Sequence, residues 1–570
     1  MRAASLLSCF AAATALPAYG PSSRARREAL VAPSNLSASD PVPCCPPWGP
    51  QPPPPFPAKY ETRWFTQRRD HFNYFAPTDE TTNQTSTFEQ RYLYYSAHWP
   101  GPPAPIIFVP CVEAGPAPYY WGEYGWVIDT LAADLNALVV FAEHRGFGLT
   151  YPQPSHAGGP LDGWKPDAAH AGVLAEEQVL ADDTALATSL RTNLSAWDSP
   201  LIAIGGSLSG EMSAWWRIRY PFMVDMALSA SAPIFGFTGP ASNGAPLCDQ
   251  FGWEKVVTDA FRTVGGAACV EAFRSGYWQT SALSPAAVSA AFNTCTPATL
   301  PCHAQQVANA ALYWTGTAAE LGSYPPHANR SLLEWSCGAM AGAATGLDAY
   351  VALMAPLLPG QCLNISWAAQ CDAGGGLAGG AARRAAAPAA DRGGYCATHW
   401  NDTESGCQDG WGIESCTTEI HPINSNNVTD FYPPSVEVLP DDRLRGCRQS
   451  YGADLSIDGA AMPRGFGQLD QARMATSASR IIFSSGQFDP WSSMSVNRSL
   501  SGTLPFVFIE GGAHHSDIGN NYNPIPDKDD TPALIAARAL ETSILKTWIA
   551  EFHAERAAAK AFLAREERAH

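Results

Sequence analysis

The chain has 570 residues, of which 46% are hydrophobic, and carries a formal net charge of −18. This length allows a large hydrophobic core and suggests more than one domain. An acidic surface repels nucleic acid and anionic membranes, so neither is expected as a partner.

The N-terminus has the pattern of a secretory signal. Arg2 precedes an apolar stretch, and small residues follow at Ala18–Gly20; the alternative is a buried first helix. No later run reaches the ~18–20 apolar residues of a membrane span. We expect residues 1–20 to be a signal peptide, and the mature protein to be soluble and either lysosomal, vacuolar or extracellular.

Cysteines and glycosylation motifs fit this compartment. Removing Cys9 with the predicted signal leaves 14 of the 15 cysteines. None shows the paired C-x-x-C spacing of a zinc site, so we expect five or more disulfides between Cys248 and Cys447, and no metal or cofactor. Candidate glycosylation sites in N-x-[ST] motifs are Asn35, Asn83, Asn193, Asn329, Asn364, Asn401, Asn427 and Asn497.

Residues 21–57 are rich in proline and are predicted to be a linker or pro-segment. Short apolar runs then alternate with segments of helical length, which is typical of a mainly parallel sheet covered on both faces. The strand-like runs are 104–110, 137–143, 200–204 and 225–231, and the helical segments are 122–136 and 174–194.

The pattern changes over residues 245–425, which hold most of the cysteines and are predicted to form helices and irregular loops. Within them, the glycine- and alanine-rich segment 372–394 is predicted to be a low-complexity surface loop. Strand-like runs resume at 480–485 and 505–510, and a helix closes the chain. We therefore predict one α/β domain, residues 58–244 and 426–570, interrupted by a disulfide-rich helical insertion.

Three side chains follow successive predicted strands in an order that suggests chemistry. Ser207 lies in "IGGSLSG", Asp489 in "SSGQFDPWS" and His514 in "GGAHHSD". Serine, aspartate, histidine is the chain order of the α/β-hydrolase fold. Because the carboxyl ends of parallel strands open into one crevice, these residues can meet there.

These residue types suit acyl transfer. A serine hydroxyl needs an imidazole to take its proton, and a carboxylate to hold the imidazole in the correct tautomer. Backbone N–H groups must stabilise the oxyanion, and the candidates are Leu208 and Val112. Taken alone, a serine after two glycines is more often an ordinary turn, Asp489 fits an Asp-Pro turn, and His514 fits a surface loop. Their joint order on successive strands favours catalysis.

The chain also resembles a known family, the serine carboxypeptidases of lysosomal Pro-X carboxypeptidase, dipeptidyl peptidase II and thymus-specific serine protease (peptidase family S28). The resemblance covers most of the chain after Tyr60 and rests on the blocks "YETRWFTQRRDHFNY", "TFEQRYLYY", "LVVFAEHRGFG", "EEQVLADDTAL", "GGSLSGEMSAWWRIRYP", "ALSASAPI", "ESCTTEIHP", "SSGQFDPWS" and "GGAHHSD". It implies a hydrolase fold with a helical cap over the active site, and exopeptidase activity next to proline. It also implies that Ser207 is the nucleophile, Asp489 the orienting acid and His514 the base.

The resemblance implies further roles at the substrate. Trp491 would form an apolar wall for a proline ring, Glu113 would hold a substrate α-amine, and Glu211 would lie near the proline pocket. The alternatives are a core tryptophan and an ordinary loop acid. Glu143 and Arg145 are interpreted as a structural pair behind the site.

Four departures from the family pattern bear on specificity. Ser209 replaces the second glycine of the elbow, Glu211 replaces a methionine, Val112 replaces an asparagine, and Gly519 replaces an arginine, so that a second His–Arg contact is expected to be missing. A carboxylate at position 211 needs a partner or solvent and would favour a positively charged group.

The leading hypothesis is therefore a serine exopeptidase acting on short, proline-containing peptides in the manner of a Pro-X carboxypeptidase. A dipeptidyl aminopeptidase releasing X-Pro or X-Ala, a non-catalytic hydrolase-fold binding protein, and a lipase or esterase are the alternatives. Homodimerisation is left open.

Overall fold

The computed structural model describes residues 60–72, 87–110, 124–148, 150–152, 171–237, 248–321, 331–357, 362–363, 410–435, 447–449, 451–456, 458–466, 471–519 and 530–569. The predicted signal peptide, the proline-rich segment 21–57 and the low-complexity segment 372–394 lie outside these residues.

One eight-stranded sheet forms the centre of the molecule, in the order β1-β2-β4-β3-β5-β6-β7-β8. The pairs from β4 to β8 are all parallel, while β1–β2 and β2–β4 are antiparallel. The strands are β1 (Glu61–Arg68), β2 (Thr87–Tyr95), β3 (Ile106–Val109), β4 (Leu138–Ala142), β5 (Leu201–Gly206), β6 (Met226–Ala230), β7 (Ile481–Gly486) and β8 (Phe506–Ile509). The six strand-like runs of the sequence are thus confirmed, whereas the antiparallel edge β1–β2 was not predicted.

The parallel strands are apolar along their whole length because helices cover both faces of the sheet. Alternate residues of a strand point to opposite faces: Phe108 packs in the same core as Trp216, and Ile107 packs in the other core with Leu131 and Leu545. The sheet and its two apolar cores give the α/β-hydrolase fold.

The helices that border the sheet include the terminal helix predicted from the sequence, which runs for 38 residues. They are α1 (Ala132–Leu135), preceded by a π-helical turn (Val127–Leu131), α2 (Glu176–Asn193), α3 (Ser207–Arg219), α10 (Ala461–Phe466), α11 (Gln471–Ser477) and α12 (Pro532–Ala569). No helix among the described residues is long and apolar enough to cross a membrane.

A second group of helices lies in the chain between β6 and β7 and has its own apolar core, which includes Phe261, Phe273, Trp314 and Tyr350. These helices are α4 (Gly252–Ser281), α5 (Pro285–Phe292), α6 (Cys302–Leu321), α7 (Leu332–Met340), α8 (Gly346–Leu357) and α9 (Gly410–Thr417).

Disulfides link this helical segment internally. They join Cys269 to Cys337, Cys295 to Cys362 and Cys416 to Cys447, and Cys302 is also disulfide-bonded. The predicted range from Cys248 to Cys447 holds all of them, and each closes a loop that restricts the unfolded chain.

Three candidate glycosylation sites lie in the described residues. Asn193 and Asn497 are exposed, and Asn427 is half-buried, its Oδ1 accepting a bond of 3.2 Å from Arg274 Nε. The other five sequons lie outside the described ranges, and glycosylation stays a prediction.

Candidate active site

The strand-to-helix turn at Ser207 has the geometry of a nucleophile elbow. β5 ends at Gly206 and α3 begins at Ser207, whose φ is 58°. This left-handed conformation is costly for serine and is the kind of strain that concentrates at functional sites. Leu208 is the second residue of α3, so its N–H has no carbonyl partner within the helix and suits an oxyanion.

Two glycines, one before and one after Ser207, allow the backbone to approach closely at the elbow. A Cβ on Gly205 would lie 2.1 Å from the carbonyl oxygen of Ser209, and one on Gly210 would lie 2.8 Å from that of Ala230. The close backbone approach that the elbow needs is therefore met by Gly205 and Gly210, which leaves position 209 free to carry a side chain.

The Ser209 hydroxyl makes a contact of its own. Its Oγ donates a hydrogen bond of 2.5 Å to the carbonyl oxygen of Pro110, directly after β3. Ser209 is 4% exposed, so this bond is shielded from water. The departure from the glycine pattern thus ties the nucleophile helix to the start of the segment that holds Val112. Val112 and Glu113 themselves lie outside the described residues.

Asp489 and His514 follow β7 and β8, and the structure brings them together. The Nδ1 of His514 lies 2.9 Å from Oδ1 of Asp489, which also accepts a 3.1 Å bond from the Trp491 N–H. Asp489 is fully buried. Because the carboxylate accepts, Nδ1 carries the proton and Nε2 keeps the lone pair that a general base requires.

The neighbouring histidine has a different environment. The His515 N–H donates to Ser231 Oγ at 2.6 Å, and its ring lies against Gly206, where a Cβ would come within 2.7 Å of it. Burial lowers the pKa of His515 well below its usual range, and the His514 imidazole lowers it further. His515 is therefore neutral and packs behind the elbow.

An arginine from α12 holds the loop that carries His514. Arg538 donates to the carbonyl oxygens of Asp517 (2.8 Å), Ser516 (3.0 Å) and Gly519 (3.1 Å). The arginine that the family pattern places at position 519 is absent, but a guanidinium from the last helix binds the same loop. This contact cannot be predicted from the sequence, since the acceptors are backbone atoms.

Trp491 joins the acid–histidine pair to the helical segment. Its ring centroid lies 6.3 Å from that of His514, and its Nε1 donates a 2.8 Å bond to Glu320 Oε1 at the end of α6. The Glu320 carbonyl also accepts from the His514 N–H at 3.1 Å. Glu320, which the sequence did not single out, thus fixes both residues.

Glu211, one turn after Ser207, lies in a buried polar cluster with Glu419 and His421. Their ligand atoms are all within 4.8 Å of one another. Burial raises the pKa of Glu419 to about 8, although the neighbouring carboxyls of Glu176 and Glu211 act in the opposite direction and lower it. The ring of His421 lies 5.3 Å from that of Trp491, so the cluster adjoins the active site.

The expected pairing of Glu143 with Arg145 is wrong. Glu143 binds Arg91 of β2 at 2.6 Å, and Arg145 binds both oxygens of Asp182 in α2 at 2.6 Å. Both pairs are buried and fix β4 to its neighbours. Arg145 also donates to the Val173 carbonyl at 2.7 Å, so each residue has a structural role with a different partner.

Comparison with known proteins agrees with this architecture. Residues 67–329 and 395–541 match the family described as serine carboxypeptidase S28. The lysosomal Pro-X carboxypeptidase of Homo sapiens is 28% identical over 519 residues, which cover 87% of this chain and 89% of that protein. Thymus-specific serine protease of Homo sapiens is 32% identical over 175 residues, covering 30% of each chain.

Among solved structures, an acetylester hydrolase from Corynebacterium glutamicum matches with a TM-score of 0.33 and 12% identity, over 81% of this chain and 92% of that one. The family match extends over most of the chain and spans both the sheet and part of the helical segment. The chain therefore belongs to the serine carboxypeptidase S28 family and is a serine-type peptidase.

Proposed function

We propose that the protein is a lysosomal or secreted serine exopeptidase that cleaves short peptides next to proline by an acyl-enzyme mechanism. The observation that carries the proposal is the 2.9 Å bond between His514 and Asp489. It lies at the strand ends of the same sheet that presents Ser207 on a strained turn.

In the proposed mechanism His514 Nε2 takes the proton of Ser207 Oγ as that oxygen attacks the scissile carbonyl. The N–H groups of Leu208 and Val112 stabilise the oxyanion. The imidazolium then protonates the leaving amine, and Asp489 stabilises its charge. Water, activated by the same imidazole, hydrolyses the acyl-enzyme and regenerates the serine.

The substrate assignment draws on the family and on Trp491. Relatives named lysosomal Pro-X carboxypeptidase match over 87% of the chain. The half-buried indole of Trp491 stands beside His514, and a flat aromatic ring suits a rigid proline that lacks an N–H. The same relatives favour the lysosome as the compartment.

The first test is labelling with a fluorophosphonate at pH 5 and pH 7. The wild type should react, Ser207→Ala should not, and Ser213→Ala should react like the wild type, because Ser213 lies deeper in the same helix. His514→Gln should abolish labelling and His515→Asn should retain it. No labelling of the folded wild type would mean a non-catalytic binding protein.

The second test compares two peptides as substrates of the active enzyme that has not been treated with fluorophosphonate. An N-blocked X-Pro-Phe peptide should be cleaved faster than a free-amine Gly-Pro amide. The reverse order would indicate a dipeptidyl aminopeptidase. Cleavage of neither, with rapid turnover of a short-chain ester, would favour an esterase and overturn the peptidase proposal.

A further inference from the structure

Three buried side chains next to the candidate active site place possible metal-ligand atoms close together. Glu211 on α3, and Glu419 and His421 after α9, are 1%, 1% and 7% exposed. Their oxygen and nitrogen atoms converge within 4.8 Å. Because removing charged carboxylates from water is expensive, such a group needs protons or a cation to balance it.

Glu419 lacks the partners that normally balance a buried carboxylate. Neither of its oxygens accepts a hydrogen bond within the described part of the chain, although both are buried. Its ion-pair partner there is the His421 ring, with Nε2 at 3.4 Å from Oε2, and the groups that act on its charge are the carboxyls of Glu176, Glu211 and Glu177. The carboxylate points into the cluster without an ammonium or guanidinium among these neighbours.

His421 is held in the tautomer that binds metals. Its Nδ1 lies 2.9 Å from the carbonyl oxygen of Gly236 and must donate to it, since a carbonyl can only accept. In the neutral ring the lone pair is therefore on Nε2, the nitrogen that faces Glu419. Metal-bound histidines commonly carry this second hydrogen bond, which fixes the ring. Gly236 permits the approach, because a Cβ there would lie 2.8 Å from Nδ1.

The separation between His421 and Glu419 suits a small divalent ion. Bond lengths of about 2.0–2.2 Å to zinc in tetrahedral geometry separate two ligand atoms by roughly 3.4 Å. The Nε2–Oε2 distance of 3.4 Å equals this value. One nitrogen and carboxylate oxygens are a donor set that Zn²⁺ accepts, with a fourth position left for water.

We propose that Glu211, Glu419 and His421 bind one Zn²⁺ ion, which links the nucleophile helix α3 to the segment after α9. This site does not depend on the catalytic assignment. It goes beyond the peptidase function and would make a metal part of a protein whose sequence predicted none.

The test is isothermal titration of the untagged, chelator-treated full chain with ZnCl₂ at pH 7.5. One ion per chain should bind with a dissociation constant below about 1 μM. Glu419→Gln and His421→Gln should each weaken it at least 100-fold. Glu414→Gln is the matched control: Glu414 is also buried and lies 3.4 Å from the Nε2 of a histidine, His144, but this pair belongs to no group of three possible metal ligands in the described part of the chain. It should bind like the wild type.

A second measurement covers the possibility that a variant does not fold. Anomalous scattering at the zinc edge from wild-type crystals should place the ion between His421 and Glu419. Failure of the wild type to bind a stoichiometric ion overturns the proposal, as does full affinity in both folded variants, or an anomalous peak elsewhere.

Discussion

Replacing Ser209 with the glycine of the family pattern should lower the free energy of unfolding. In the family pattern glycine stands at position 209, yet Ser209 Oγ donates a 2.5 Å bond to the Pro110 carbonyl. Ser209→Gly and Ser209→Ala both remove this donor. Leaving a buried acceptor unpaired costs about 1–3 kcal/mol. Glycine adds about 1 kcal/mol within a helix, so Ser209→Gly should be the less stable of the two.

Loss of the same hydrogen bond should also lower the rate of fluorophosphonate labelling. Pro110 immediately precedes the segment that holds Val112, the second predicted oxyanion donor. If that donor is displaced, the loss of about 1.4 kcal/mol in the transition state slows fluorophosphonate labelling roughly tenfold. The assays are the free energy of unfolding in urea and the labelling rate at pH 7.

Ser213→Ala is the matched control. Ser213 is as buried as Ser209 and lies one turn later, but its hydroxyl donates to the Ser209 carbonyl at 2.8 Å within the same helix. Its loss should change stability by less than about 1 kcal/mol and leave labelling unchanged, because serine bonds within a helix compete with its own backbone. A Ser209→Gly protein as stable and reactive as the wild type would refute the reasoning.

Three further outcomes follow from the residues around the site. Burial raises the pKa of Glu541 well above 4.5, and the charge of Asp517 raises it further. The contribution of Glu541 to stability should therefore be fully present below pH 4.5 and be lost as the pH rises from there through the raised value. Glu541→Gln, compared with the wild type by thermal unfolding over this range, should lose less stability as the pH rises, and an unchanged slope would contradict the assignment. The lysine in Arg538→Lys cannot bind three carbonyl oxygens at once, so this variant should be labelled roughly tenfold more slowly than the wild type. Arg480→Lys is the control and should be labelled at the wild-type rate. Equal labelling rates for the two variants would show that Arg538 does not position His514. Trp491→Phe loses the hydrogen bond to Glu320, which should lower kcat/KM for an X-Pro peptide about fivefold, equivalent to about 1 kcal/mol. Trp491→Ala also loses the aromatic ring and should lower kcat/KM at least tenfold further. Equal kcat/KM values for both variants would argue against an aromatic wall.

The parts of the site that the sequence predicted are those with a local signature. Ser207, Asp489 and His514 each follow an apolar run, and the parallel sheet puts such positions on one edge. From that rule and the chain order, the contact between Asp489 and His514 could be expected without coordinates. The elbow was also recognisable from its glycines, although the role of the Ser209 hydroxyl was not.

The parts that could not be predicted depend on contacts between elements. Glu143 and Arg145 lie in one block of the family pattern, and the sequence interpretation pairs them with each other for that reason. Their true partners are Arg91 and Asp182, which lie on a strand and a helix elsewhere in the chain. Because the antiparallel edge β1–β2 was missed, no partner from β2 was available. Arg538 escaped notice because backbone carbonyls leave no trace in a sequence.

The two parts of the candidate site are held by different elements, so one part can depart from the family pattern while the other keeps its geometry. Ser207, Asp489 and His514 are fixed by strands of the sheet, whereas Glu419 and His421 come from the chain between β6 and β7. Trp491 connects the two parts, since its ring lies near the rings of both His514 and His421. A change at the cluster can therefore alter what binds beside the nucleophile while the bond between Asp489 and His514 stays as it is. The carboxylate at position 211 is a change of this kind. It follows Ser207, the proposed nucleophile, by one helical turn, whereas its partners in the cluster come from the chain between β6 and β7.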